Sequence, residues 1–201
     1  MPTFAPQMRA KLAKSAFELF ARQGIKNVNL DEVAAHAGVT KGSLYWHYKS
    51  KKEVILAACA YYYRRWQRRA HAQIALDNDP LKQLKRVLRF SVQSCLFDPT
   101  NRVFTSEILA LSLQDSDILA SWAQFYDTVR ELFIGLVQAA VARGQLKIDD
   151  PRTAVDWMLA TIEGIKQRAS FEPQICTPSQ REILVRGLVR FVSRASQSRG
   201  V

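Results

Sequence analysis

NLDEVAAHAGVTKGSLYWHYKSKKEV, residues 29–54, carries three helix signals in 26 residues. Asn29 stands three residues before Glu32, which is the spacing of a capping box. Leu30, Val33, Ala34 and Ala37 then recur at helical spacing, and Gly38 ends the run. Thr40 is a natural cap for a second short helix from Lys41 to about Tyr48. Ser50 to Glu53 repeats the capping pattern and opens a long helix through Val54, Ala58, Tyr62 and Trp66. Upstream, Met8, Leu12, Ala16, Leu19 and Phe20 form one more stripe, closed by Gly24.

Three short helices bridged by tight turns fit a helix-turn-helix. Leu44 and Tyr48, four apart, dock the third helix on the first two, and Val39 fills the turn. Thr40, Lys41, Ser43, Trp46 and His47 are left nearer the outside. Gly42 carries no side chain, so the backbone there permits close approach of a phosphate or a base edge. A short helix of this kind fits a major groove, whereas a minor groove is too narrow.

The rest of the chain is also helical in pattern. Asp79-Pro80 opens a fifth helix with stripe Leu81, Leu84, Leu88, Val92 and Cys95. Asp98-Pro99-Thr-Asn101 reads as a turn before a sixth helix with Phe104, Ile108 and Leu111. A seventh runs from near Asp117 to Arg143 and stops at Gly144; an eighth runs from near Pro151 to about Phe171. Ser179 to Glu182 reads as a third capping box, opening a ninth helix to about Ala195, with Ser196–Val201 expected to fray. No β-alternation and no internal repeat is present. The expected fold is all-α with about nine helices. A helix-turn-helix domain, residues 1–52, is joined through the long fourth helix to a larger helical domain, residues 53–201.

Charge separates the two parts. The chain carries +11, but residues 1–75 hold 13 Lys and Arg against 4 Asp and Glu, and residues 76–201 hold 16 against 14. The basic end implies a polyanionic partner; charge alone does not separate nucleic acid from an anionic membrane surface. No run of about 18 apolar residues exists and the first residues lack signal-peptide order, so a cytoplasmic protein is expected. Cys59, Cys95 and Cys176 are far apart and odd in number, which argues for reduced thiols rather than disulfides or a zinc site.

Residues 29–54 resemble the DNA-binding domain of the tetracycline-repressor (TetR) family. The likeness rests on Ala-Gly-Val-Thr-Lys-Gly at 37–42, Leu44-Tyr45, His47-Tyr48 and Ser50-Lys51. Asn29 replaces the commoner Thr or Ser, and Tyr48 the commoner Phe. A weaker likeness at 142–165 covers the link between the seventh and eighth helices. The resemblance implies that Tyr45, His47 and Lys51 grip the phosphate backbone. It puts Thr40, Lys41, Gly42 and Ser43 near bases and phosphates, Trp46 in sequence choice and Asn29 at a phosphate. Lys11, Lys14, Lys26, Lys49 and Lys52 are read as general field. The Arg64, Arg65, Arg68 and Arg69 cluster is read as a solvated or interdomain face.

In this family the body often encloses a small-molecule pocket. Phe90, Phe97, Phe104, Trp122, Phe125 and Tyr126 are the candidate lining, with Trp157 closing it, for an apolar, aromatic or acidic organic ligand; packed core is the other reading of each ring. Ala154, Met158, Ile162 and Ile165 on the eighth helix, with Leu184, Leu188 and Phe191 on the ninth, are the candidate homodimer interface. The ninth helix is apolar over an arc wide enough for more than one neighbour, and packing within the chain is the other reading of both helices. The expected protein is a homodimeric repressor on a palindromic duplex operator, released by a small organic ligand, with no cofactor, metal or membrane partner. A regulator answering to a protein partner or redox state, and an activator, stay open. No hydrolase, P-loop or dinucleotide motif supports an enzyme.

Overall fold

The computed structural model describes residues 4–194. Among these the secondary structure is helical: α1 (Phe4–Gln23), α2 (Leu30–His36), α3 (Lys41–His47), α4 (Lys51–Ile74), α5 (Pro80–Val92), α6 (Pro99–Ser112), α7 (Ser116–Ala142), α8 (Pro151–Arg168) and α9 (Arg181–Arg194). A π-helical turn, Gln93–Phe97, extends α5, and two 3-10 turns, Pro173–Cys176 and Pro178–Gln180, lead into α9. The expected end at Ala195 and the fraying of Ser196–Val201 lie outside the described residues.

The chain folds as two compact units. The first holds α1 to α3, α4 as far as Gln67, and the segment Val103–Gln124. Its core is built from Leu12, Phe17, Phe20, Val33, Leu44, Val54, Tyr62, Phe104 and Ile108, all buried. Phe17 meets Phe104 edge-on at 4.9 Å and Tyr62 in a stack at 5.9 Å. Rings so arranged contribute about 0.5–1.5 kcal/mol a pair beyond their buried area. Gly24 and Gly38 hold positive φ, +84° and +62°, and so stop α1 and α2 where a side chain would be strained.

The second unit holds Arg68–Arg102 and the chain from Phe125 onward. Leu84, Leu88, Val92 and Leu96 of the α5 segment are buried here, as are Phe133 and Val137 of α7, Val155 and Met158 of α8, and Val185 and Val192 of α9. Asp150 caps α8 through the amides of Arg152 and Thr153, with Pro151 at its first position.

Three local expectations are corrected. Asp98-Pro99 is no free turn: Asp98 accepts the amide of Asn101 at 3.2 Å and starts α6, as Asp79 starts α5. Ser179 to Glu182 forms no capping box; Thr177 and Gln180 form one instead, and Glu182 turns away to a two-pronged pair with Arg89 of α5 at 3.0 Å. A bidentate, charge-assisted pair outcompetes a local cap. At the start of α4, Ser50 caps Glu53 as expected, but Glu53 returns to the amide of Lys49 at 2.9 Å, one residue early.

Candidate nucleic-acid interface

The base of the site is the packing of α3 on α1 and α2. Asn29 and Glu32 close the expected capping box, at 2.9 and 2.7 Å. The amide of Val39 donates to Ala34 at 3.0 Å, which sets the turn. Thr40 Oγ1 accepts the amide of Ser43 at 3.2 Å and so starts α3. Leu44 is fully buried and Tyr48 nearly so, which fixes the inward face of α3 as the spacing implied.

The outward face follows by helical geometry. Thr40, Lys41, Gly42, Tyr45 and Trp46 are exposed, Trp46 at 69 %, and Ser43 is half-buried beside them. A tryptophan so exposed on a short rigid helix is a flat apolar surface looking for a partner. Lys41 is held at 2.8 Å by Asp31, whose carboxylate raises the lysine pKa, and its ammonium lies 5.9 Å from the Tyr45 ring. Lys49 donates to the carbonyl of Tyr45 at 3.1 Å, and Lys51 to that of Lys26 at 3.3 Å. Asn29 is exposed at the start of α2.

His47 differs from its expected exposure. The residue is 9 % exposed, and its ring packs edge-on against Trp46 at 4.6 Å. Burial first, and the charge of Arg9 second, lower its pKa. It therefore offers a phosphate little ring surface in this conformation; its carbonyl instead accepts Arg9 Nη1 at 2.7 Å. Arg9 also lies 4.5 Å over the Tyr48 ring, and the Tyr48 hydroxyl donates to the Arg9 carbonyl at 3.1 Å. Sequence reasoning missed Arg9, since nothing local signals a contact across 38 residues. Lys52, read as general field, instead pairs with Asp115 at 2.9 Å and Asp117 at 2.5 Å.

The profile described as bacterial regulatory proteins, tetR family, matches residues 12–58, the segment that builds this interface. The HTH-type transcriptional regulator SrpR of Pseudomonas putida is 28 % identical over 166 residues, spanning 80 % of this chain and 74 % of SrpR. Residues 12–58 are a DNA-binding domain of the tetR family. TtgR, another HTH-type transcriptional regulator of Pseudomonas putida, is 29 % identical over 171 residues, 82 % of this chain and 80 % of TtgR. A solved TetR-family regulator from Rhodococcus sp. shares the fold, with a TM-score of 0.78 at 23 % identity over 94 % of this chain and 99 % of that one. TetR proteins are transcriptional regulators, not enzymes.

The body residues divide between the units. Phe104 and Trp122 belong to the first, where Phe104 is fully buried and Trp122 lies 6.3 Å from Tyr63. Phe90, Phe97 and Tyr126 are half-buried and Phe125 buried in the second. Trp157 closes no interior: it is 55 % exposed on the outer face of α8, its ring 6.2 Å from Phe191. The reason is helical phase, since Met158 and Val155 take the inward positions.

The same phase splits the expected dimer stripe. Ala154, Met158, Ile162 and Leu188 are buried within the chain itself, and Ile165 and Leu184 are half-buried. Of that set only Phe191 is exposed, and the outward faces of α8 and α9 add Trp157 and Ile183. Among the described residues no group of three His, Cys, Asp or Glu is placed to hold a metal, and no helix is long and apolar enough to cross a membrane.

Proposed function

We propose that this chain is a TetR-family regulator, a homodimeric repressor that binds a two-fold symmetric duplex operator and leaves it when a small organic molecule binds the body. Residues 1–52 act as the DNA-binding part and residues 53–201 as the sensing and pairing part. The observation that carries the reading is the exposed face of α3 on a rigid, buried base. Thr40, Lys41, Gly42 and Ser43 approach the groove, Trp46 meets bases, and Tyr45, Lys51 and Asn29 hold phosphates. His47, being buried, acts as a positioning residue through Arg9 and Trp46. The regulator works where the chromosome is, in the cytoplasm.

Pairing is assigned to the outward faces of α8 and α9. Trp157, Ile183 and Phe191 are exposed there, and an added Cβ at Gly164 or Gly187 meets nothing within 4 Å. A second copy of the same face closes such a surface about a two-fold axis. The ligand is an apolar or aromatic organic molecule meeting rings of the body such as Phe90, Phe97, Phe125 and Tyr126.

Hydroxyl-radical footprinting on the chain's own upstream region tests the reading. Two protected patches related by two-fold symmetry and roughly one helical turn, about 34–36 Å, apart are expected. A single unsymmetrical footprint at saturating protein would contradict the paired arrangement.

A further inference from the structure

A cleft of about 330 Å³ lies within the first unit, between α1 and α4. Its volume falls at the small end of the roughly 300–1,000 Å³ range of small-molecule sites. Ala10 and Ala13 of α1 and Ala57 and Ala60 of α4 line it, and their short side chains leave the space open. Arg9 and Arg64 reach it from the two helices, and the Tyr48 ring adds a flat wall.

The two cations are available. Arg9 donates one bond from Nη1 to the carbonyl of His47 and stacks on Tyr48. A guanidinium has five N–H donors, so Arg9 keeps capacity for a further acceptor. Neither Arg9 nor Arg64 is ion-paired with a carboxylate among the described residues. Both charges act on Tyr48, which places them near one another in space.

We propose that this cleft binds a small organic anion, a carboxylate on a flat apolar body. The carboxylate is held by Arg9 and Arg64, for which planar, two-pronged pairing is the preferred geometry. The apolar body covers the alanines and the Tyr48 ring. A phosphate of the DNA backbone would use the cations but leave the apolar lining without a role, which selects a free amphiphilic anion as the occupant. Because Arg9 also holds the carbonyl of His47, occupancy acts directly on the last turn of α3. This site is separate from the ligand site assigned to the body.

The test is isothermal titration of the full chain, without DNA, using 2-naphthoate and its neutral counterpart 2-naphthamide. Saturable naphthoate binding is expected, with the amide at least about tenfold weaker. Arg64→Gln is expected to weaken naphthoate about tenfold while leaving duplex binding unchanged, and Ala60→Phe to abolish it by filling the cleft. Should Ala60→Phe fail to fold, Arg64→Gln decides alone. Absence of saturable binding overturns the proposal. So does equal binding of the amide, or naphthoate affinity unchanged in Arg64→Gln. A loss of duplex affinity in Arg64→Gln with a salt slope smaller by about one also overturns it, since the cation then serves DNA.

Discussion

The carboxylate of Glu107 on α6 accepts the backbone N–H of Ile25, in the turn that closes α1. Gly24, just before it, holds φ +84°, and a Cβ there would lie 2.7 Å from a Glu107 oxygen. One turn therefore depends on a glycine for its backbone and on a residue 82 positions away for its hydrogen bond. Both partners lie in the first unit.

Gly24→Ala is expected to destabilise the first unit by about 1–3 kcal/mol, from left-handed backbone strain and the displaced carboxylate. Glu107→Ala leaves the Ile25 amide without its acceptor and costs about 1–3 kcal/mol, while Glu107→Gln, which keeps an acceptor, costs less. Urea unfolding followed by circular dichroism gives the order. Equal midpoints for Glu107→Ala and the parent would show that the turn does not need the carboxylate.

Acidification should weaken the first unit through His47. Its folded pKa lies below the ordinary 6.5, chiefly because burial disfavours the charged ring. A group depressed on folding adds stability above its unfolded pKa and loses it as pH falls through the folded value. Melting temperatures are therefore expected to fall below about pH 6.5 more steeply for the parent than for His47→Gln, over the range where carboxylates are still ionised. Parallel curves would remove His47 from this dependence.

Trp157→Asp and Phe191→Asp are expected to yield a folded monomer, because both side chains are exposed in the single chain. Met158→Asp is expected to unfold the body, since a fully buried position would receive an unpaired charge. Sedimentation velocity with circular dichroism separates the two classes. A dimer that survives both outer substitutions moves the pairing surface elsewhere.

Thiol chemistry should leave DNA binding untouched. Burial pushes Cys59 and Cys95 up to about 12, and it raises Cys176 as well. Thiolates are the reactive form, so iodoacetamide at neutral pH should label the half-buried Cys176 first and reach Cys59 only after unfolding. Release of operator by mild thiol oxidation would restore the redox reading.

Much of this was legible in the chain because the decisive signals are local. Asn29 with Glu32, Thr40 with Ser43, and Gly24, Gly38 and Gly144 at positive φ are contacts or conformations within a few residues. Leu44 and Tyr48 face inward because a four-residue spacing leaves them no other face. What the sequence misassigned depends on distant partners. Glu182 has a cap within reach but pairs with Arg89, 93 positions away. Trp157 shares a helix with Met158, and periodicity alone did not say which of two apolar faces is covered first. His47 is polar and next to an exposed Trp46, yet its side chain is buried and its carbonyl accepts Arg9 from 38 positions away. Asp98-Pro99 shows the reverse case: the same dipeptide that opens α5 at Asp79-Pro80 also opens α6, where the turn-forming residues Asp98 to Asn101 suggest a loop.

Fluorescence anisotropy of a labelled duplex from the chain's own upstream region, titrated at several salt concentrations, tests the outward face of α3 most directly. The parent should bind with strong salt dependence, Lys51→Ala should bind more weakly to every duplex with a slope smaller by about one, and Trp46→Ala should change which sequence is preferred. Unchanged affinity, slope and preference in both variants would show that the duplex is met by some other surface.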